Sequence, residues 1–213
     1  MAMSLPLLTV LVALQFIFPS EGLVTKKALQ FGTTHDDYVK FSTDMSKAEE
    51  SLTVCSWVKK QLAGKYRSWF NYNTYYSDKA ILISDGGGYN YVEGDNNRIS
   101  FEGYVAVPLN TWTHQCQSWT VTSSGYYGQI STYYNGTLID YTLTYSTSLY
   151  QGGYIILGHH GSSHHREEIF GGQLMKLDVF GKVLSPEEIA ELYNAGRCSD
   201  VEKKHQEVRF ITW

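Results

Sequence analysis

Trp112-Thr113-His114-Gln115-Cys116-Gln117-Ser118-Trp119 decides how the rest of the chain is read. In an extended strand its alternate residues part to opposite faces, so His114, Cys116 and Ser118 share one side. Leu52-Thr53-Val54-Cys55-Ser56-Trp57-Val58 has the same strand-like character, with Cys55 on the opposite face from Val54 and Ser56. Two half-cystines facing the interior from neighbouring strands make a staple, and Cys55–Cys116 is the expected disulfide. Closing a loop of that length stabilises by ~4 kcal/mol in the chain-entropy account. The third cysteine, Cys198, follows Gly196 in a polar segment, and both a free thiol and a bridge between subunits stay open for it.

Outward from these two strands the pattern repeats. Runs of four to eleven residues at 38–41, 51–58, 68–72, 79–84, 89–92, 98–101, 112–122, 126–134, 137–144, 154–158 and 173–180 read as strands. They are separated by turn chemistry such as Asp85-Gly86-Gly87-Gly88, Glu93-Gly94-Asp95-Asn96-Asn97 and Asn135-Gly136, the last a strong signal for a two-residue hairpin turn. So many strands without intervening helices predict an all-β fold: a two-sheet antiparallel jelly-roll sandwich. One short C-terminal helix is expected. Ser185-Pro186-Glu187-Glu188 supplies an N-cap, a first-turn proline and a capping-box glutamate, and Gly196 closes the far end. Ile189, Leu192 and Tyr193 then form one apolar stripe that docks on the sandwich.

The ends and the charge bound the function. An apolar run from Leu5 to Phe18, followed by Pro19-Ser20-Glu21-Gly22, predicts a signal peptide over 1–22 and a secreted, extracellular product. The run is shorter than the ~20 residues a bilayer span needs, so no membrane span is expected. The remaining chain is read as one domain at 23–197 and a C-terminal tail at 198–213. A net charge of −4 with scattered basic residues argues against nucleic acid as a partner.

With these residues in view, a family resemblance follows. His114-Gln115-Cys116-Gln117-Ser118-Trp119 resembles the pentraxin signature, with Val121 where that signature wants Ser or Thr. Leu52-Thr53-Val54-Cys55 resembles the family's upstream half-cystine strand, and Tyr154-Ile155-Ile156-Leu157-Gly158 the strand entering its calcium loop. Val183-Leu184-Ser185-Pro186-Glu187-Glu188-Ile189 is similar to its strand-to-helix segment. The resemblance covers about Ala28 to Gly196, with the generic laminin-G-like jelly roll as close neighbour. It implies a calcium-assisted, C-reactive-protein-like recognition protein that binds carbohydrate or phosphate-bearing surface ligands as a homo-oligomer.

The calcium ligands carry over in part. Asp78 matches a family carboxylate, but the expected Asn is Lys79, and His160-Gly161-Ser162 stands in place of three oxygen donors. Glu168 and Glu167 fall near the remaining loop ligands. Calcium wants six to eight oxygens, so Asp78, Glu167 and Glu168 predict a weak or single site. The same loop holds His159, His160, His164 and His165, a composition suited to zinc or another transition metal, to a pH response of clustered imidazoles, or simply to a solvated loop.

Other features widen the field. Asn135-Gly136-Thr137 is a glycosylation sequon on an expected hairpin tip. Of the 17 tyrosines, thirteen of those from Tyr72 to Tyr154 mostly alternate with polar residues or pair up, so many are expected to face outward as stacking or contact surfaces, although tyrosine is also a favoured strand residue. A second function class is therefore an extracellular structural or matrix protein assembling through Tyr-rich faces, the His-rich metal loop and Cys198. An enzyme is not expected. A jelly-roll glycosidase needs two carboxylates across a cleft, and no strand carries alternating acids.

Overall fold

The computed structural model describes residues 28–43, 51–63, 67–74, 81–86, 89–94, 107–121, 127–145, 152–159, 169–197 and 209–212. Two antiparallel sheets lie face to face. The first holds β1 (Leu29–Gln30), β3 (Ser51–Lys60), β7 (Trp112–Val121), β8 (Tyr127–Tyr134), β9 (Thr137–Tyr145), β11 (Gly172–Phe180) and β12 (Arg209–Thr212). Its order is β1-β11-β3-β7-β8-β9, with β12 also on β11. The second holds β2 (Val39–Thr43), β4 (Arg67–Thr74), β5 (Ile81–Gly86), β6 (Tyr89–Gly94) and β10 (Gly153–Leu157), in the order β2-β10-β4-β5-β6.

Alternation sorts each strand into two faces. Leu52, Val54, Val58, Trp119, Ile130, Leu174 and Val179 from the first sheet meet Phe70, Tyr72, Ile81, Ile83, Ile155 and Leu157 from the second in one buried core. The register agrees: Leu157 opposes Phe70 and Val39, and Ile155 opposes Tyr72 and Phe41, so each row points one way. The jelly-roll sandwich expected from the strand pattern is therefore observed. The strand expected at 98–101 lies outside the described residues, as do the signal segment at 1–22 and Cys198.

Cys55 and Cys116 are directly opposed across β3 and β7 and form the disulfide, with Cα atoms 4.1 Å apart. That is the close pairing position of an antiparallel ladder. The cystine does not face the core between the sheets. It lies on the outer face of the first sheet, in a second apolar cluster with Tyr133, Phe180, Leu184, Ile189 and Leu192. The last two belong to α1 (Pro186–Arg197), which roofs that face.

The helix starts as its sequence dictates. Glu188 N–H donates to Ser185 Oγ (3.2 Å) while Ser185 N–H donates to Glu188 Oε2 (2.8 Å), a reciprocal capping box. Ser185 also donates to Glu187 Oε2, which holds that carboxyl below its ordinary range. Its end differs from expectation, because Gly196 lies within the helix. A Cβ there would stand 2.1 Å from Trp57 Nε1, so this glycine serves a close approach to the indole rather than a stop. Asn135 and Gly136 have φ of 50° and 78°, the paired positive angles that a two-residue hairpin turn requires.

Candidate functional site

The candidate site lies at the end of the second sheet from which the 160–168 connection leaves and to which it returns. β10 ends at Leu157. Gly158 follows with φ of 87°, and the Phe31 ring presses so close that a Cβ would come within 2.2 Å. The backbone is tied on both sides of this turn: Gly158 N–H donates to Trp69 O (3.3 Å) and Phe170 N–H donates to Gly158 O (3.0 Å). Ile169 bridges Ser68, and Arg67 donates through Nη1 to Ile169 O (3.1 Å). Both ends of the connection are thus fixed to the start of β4.

His159 is the one member of the expected histidine cluster among the described residues. It is buried, and its Nε2 lies 3.2 Å from Nδ1 of half-buried His35. The rings meet edge-on at 5.4 Å, with the Tyr38 ring 6.1 Å from His159. His35 is presented by a compact turn in which Thr34 N–H (2.9 Å) and Oγ1 (2.6 Å) both donate to Asp37 Oδ2. The hydroxyl bond and then the amide bond hold the Asp37 carboxyl below its ordinary value. Neither His35 nor Arg67 was singled out from sequence. They stand 124 and 102 residues from their partners, and no local pattern connects them.

Asp78, His160, His164, His165, Glu167 and Glu168 lie outside the described residues. Asn135 is exposed at the hairpin tip, as the sequon needs. Its Oδ1 accepts from His114 N–H (3.0 Å), which leaves the amide nitrogen as the position for a glycan. The tyrosines divide: Tyr72, Tyr133 and Tyr134 are buried and Tyr141 is exposed, so part of the expected outward array is core.

Cys55, His114 and Cys116 bring three potential ligand atoms together, but both sulfurs are spent in the disulfide and offer no thiolate. His114 is a packed residue. It packs, tilted, against Trp57 and Tyr193 with centroids at 5.4 and 6.0 Å, and its Nε2 is 3.7 Å from Cys116 Sγ. Burial, and secondarily the Lys176 charge, lower its pKa to about 4. It is neutral at physiological pH.

The fold and this cystine-under-helix arrangement define a jelly-roll recognition module of the pentraxin kind. The chain belongs to the Pentaxin family, whose family model matches residues 27–210. It is 24% identical to C-reactive protein 1.4 of Limulus polyphemus, over 77% of this chain and 69% of that protein. It is 28% identical to human pentraxin-related protein PTX3, over 70% of this chain but only 40% of that longer protein. Among solved structures, a native heptameric SAP-like pentraxin from Limulus polyphemus superposes with a TM-score of 0.64 at 17% identity, covering 87% of this chain and 90% of that one. Pentraxins are in general non-enzymatic recognition proteins. No helix among the described residues is long and apolar enough to cross a membrane.

Proposed function

We propose that this chain is a secreted, homo-oligomeric pentraxin that binds carbohydrate or phosphate-bearing groups on surfaces, with calcium held weakly by Asp78, Glu167 and Glu168. The supporting observation is the anchoring of the 160–168 connection at the start of β4. Asp78 precedes Ile81 by three residues, Ile81 pairs with Tyr72, and Tyr72 stands four residues from Ser68, the bridge partner of Ile169. The described residues that follow the two carboxylate-bearing segments, Ile81 and Ile169, thus both join β4, at partners about 13 Å apart along it.

The donor set is oxygen-poor for calcium, with three carboxylates and Lys79 adjacent to one of them. When bound, the ion would anchor phosphate or hydroxyl oxygens electrostatically. The heptameric state of the Limulus structure supports the oligomeric part of the reading. The test is retention of the purified protein on resin bearing phosphate monoesters or a neutral sugar, in calcium and in chelator. Retention lost on chelation and in Asp78→Ala is expected; retention indifferent to both would sink the calcium reading.

One observation favours a second reading, an extracellular assembly protein using zinc or another transition metal. The 3.2 Å between His35 Nδ1 and His159 Nε2 is a hydrogen-bond distance. It is also close to the separation of about 3.3 Å held by two imidazoles on one tetrahedral ion with bonds of about 2.0–2.1 Å.

A further inference from the structure

The interior of the sandwich changes character along β7 and β8. Trp119 and Ile130 oppose each other there and belong to the apolar core. The next inward pair on the same two strands is Gln117 and Thr132, and beyond it Gln115 stands opposite Tyr134. Register fixes their direction. Gln117 also lies opposite Val54 of β3, a core residue, so Gln115, Gln117 and Thr132 point toward the second sheet and not toward α1. All three are deeply buried, at 0%, 5% and 1% exposure.

Four polar atoms of these side chains have no hydrogen-bond partner among the described residues: Gln115 Nε2, Gln117 Nε2, Gln117 Oε1 and Thr132 Oγ1. Gln115 has no alternative orientation that helps. Its Oε1 accepts from Trp69 Nε1 of β4 (3.1 Å), and flipping the amide would set donor against donor. Trp69 is itself tied down, because its carbonyl accepts from Gly158 N–H. A direct bond between the opposed Gln117 and Thr132 would join one donor to one acceptor and still leave Gln115 Nε2 bare. Each buried group left unmet costs about 1–3 kcal/mol, so a cluster of four calls for an occupant.

We infer that the space between β7, β8 and the second sheet is a built internal site for ordered water, held by Gln115, Gln117 and Thr132. The chemistry of these side chains selects the occupant. None of them is charged, and Asp140, opposite Thr132 on β9, is exposed, so an ion finds no buried counter-charge. Two unpartnered oxygens also fall far short of the six to eight that calcium takes. An apolar guest would leave all four atoms unmet. Water donates and accepts, makes about three hydrogen bonds when buried, and suits the interval of about 5 Å between directly opposed side chains. The site is separate from the carboxylates of the proposed calcium site and stands or falls without them.

The test is a crystal structure fine enough to show ordered solvent, for the wild type, Gln117→Met and Thr132→Val, each grown with and without glycerol. The expected result in the wild type is solvent density about 2.7–3.2 Å from Gln115 Nε2 and from Gln117 or Thr132, unaltered by glycerol. Each variant removes hydrogen-bonding capacity at nearly constant volume and should lose part of that density. Protein atoms filling the space and bonding Gln115 Nε2 would overturn the inference, and the wild type alone decides this if a variant fails to fold. Glycerol in place of the solvent density would make the site a polyol pocket and overturn its assignment to water. Density retained in full by both variants would overturn the roles given to Gln117 and Thr132.

Discussion

His35 Nδ1 lies 3.2 Å from His159 Nε2, a contact made by residues 124 positions apart in the chain. One proton between the two nitrogens satisfies them as a hydrogen bond, and a divalent transition metal would replace that proton with a bond to each ring. Zinc should therefore raise the thermal midpoint of the wild type, because an ion that binds only the folded state stabilises it, by about 2.7 kcal/mol at a hundredfold excess over Kd. The rise should vanish in His35→Ala and in His159→Ala. A zinc response that survives in both variants would place the ion elsewhere.

Gly196→Ala sets two effects against each other. Alanine is favoured over glycine inside a helix by about 1 kcal/mol. Here, however, the new methyl would stand 2.1 Å from Trp57 Nε1, on an indole already stacked 5.5 Å from Tyr193 and packed on His114. A rigid ring already packed against two others has little room to yield, and overpacking of this kind costs about 1–3 kcal/mol. The expected net result is destabilisation by up to about 2 kcal/mol in urea unfolding; a variant more stable than wild type would mean that the indole moves freely.

Much of this architecture was legible because its signals are local. Asn135-Gly136 announces its hairpin through two positive φ angles, and Ser185 to Glu188 spells a capping box that depends on four consecutive residues. The cystine pair followed from strand character at Cys55 and Cys116. Its direction did not, because parity says which residues share a face but not which face meets the other sheet; that is settled by the roof of Ile189 and Leu192. Burial of Tyr72, Tyr133 and Tyr134 escaped for the same reason. β1 and β12, with two and four residues, are too short to show alternation and exist through their pairing with β11. The partnership of His159 with His35, and of Arg67 with Ile169, is purely tertiary.

Because the cystine lies beneath α1, its loss should be felt unevenly. Cys55→Ala/Cys116→Ala removes a cross-link worth ~4 kcal/mol by chain entropy, together with two members of the outer apolar cluster. Native-state hydrogen exchange should show α1 amides losing protection ahead of those of β4 and β10, which belong to the core between the sheets. Equal loss across both regions would mean that the helix is held by something other than this cluster.

Neutral, buried His114 gives the fold a defined acid sensitivity. Its pKa falls from 6.5 to about 4 on folding, first through desolvation and then through the charge of Lys176, whose ammonium also donates to Ala195 O at the end of α1. Between these two values the unfolded chain binds the proton and the folded chain does not, so stability rises with pH across the window and is lost as pH falls from 6.5 toward 4. At about 1.4 kcal/mol for each pH unit, the cumulative loss attributable to this one ring approaches about 3 kcal/mol at pH 4. Protonation would also set a cation against Trp57 and Tyr193, within 4 Å of the cystine sulfur and without a carboxylate partner among its described contacts. His114→Gln removes the titration while keeping a polar side chain of similar length. Its unfolding free energy, measured by urea at half-unit steps from pH 4 to 7.5, should be flatter than that of wild type between pH 4 and 6.5 and parallel to it above pH 7. Curves that run parallel throughout would show that another group carries the acid sensitivity.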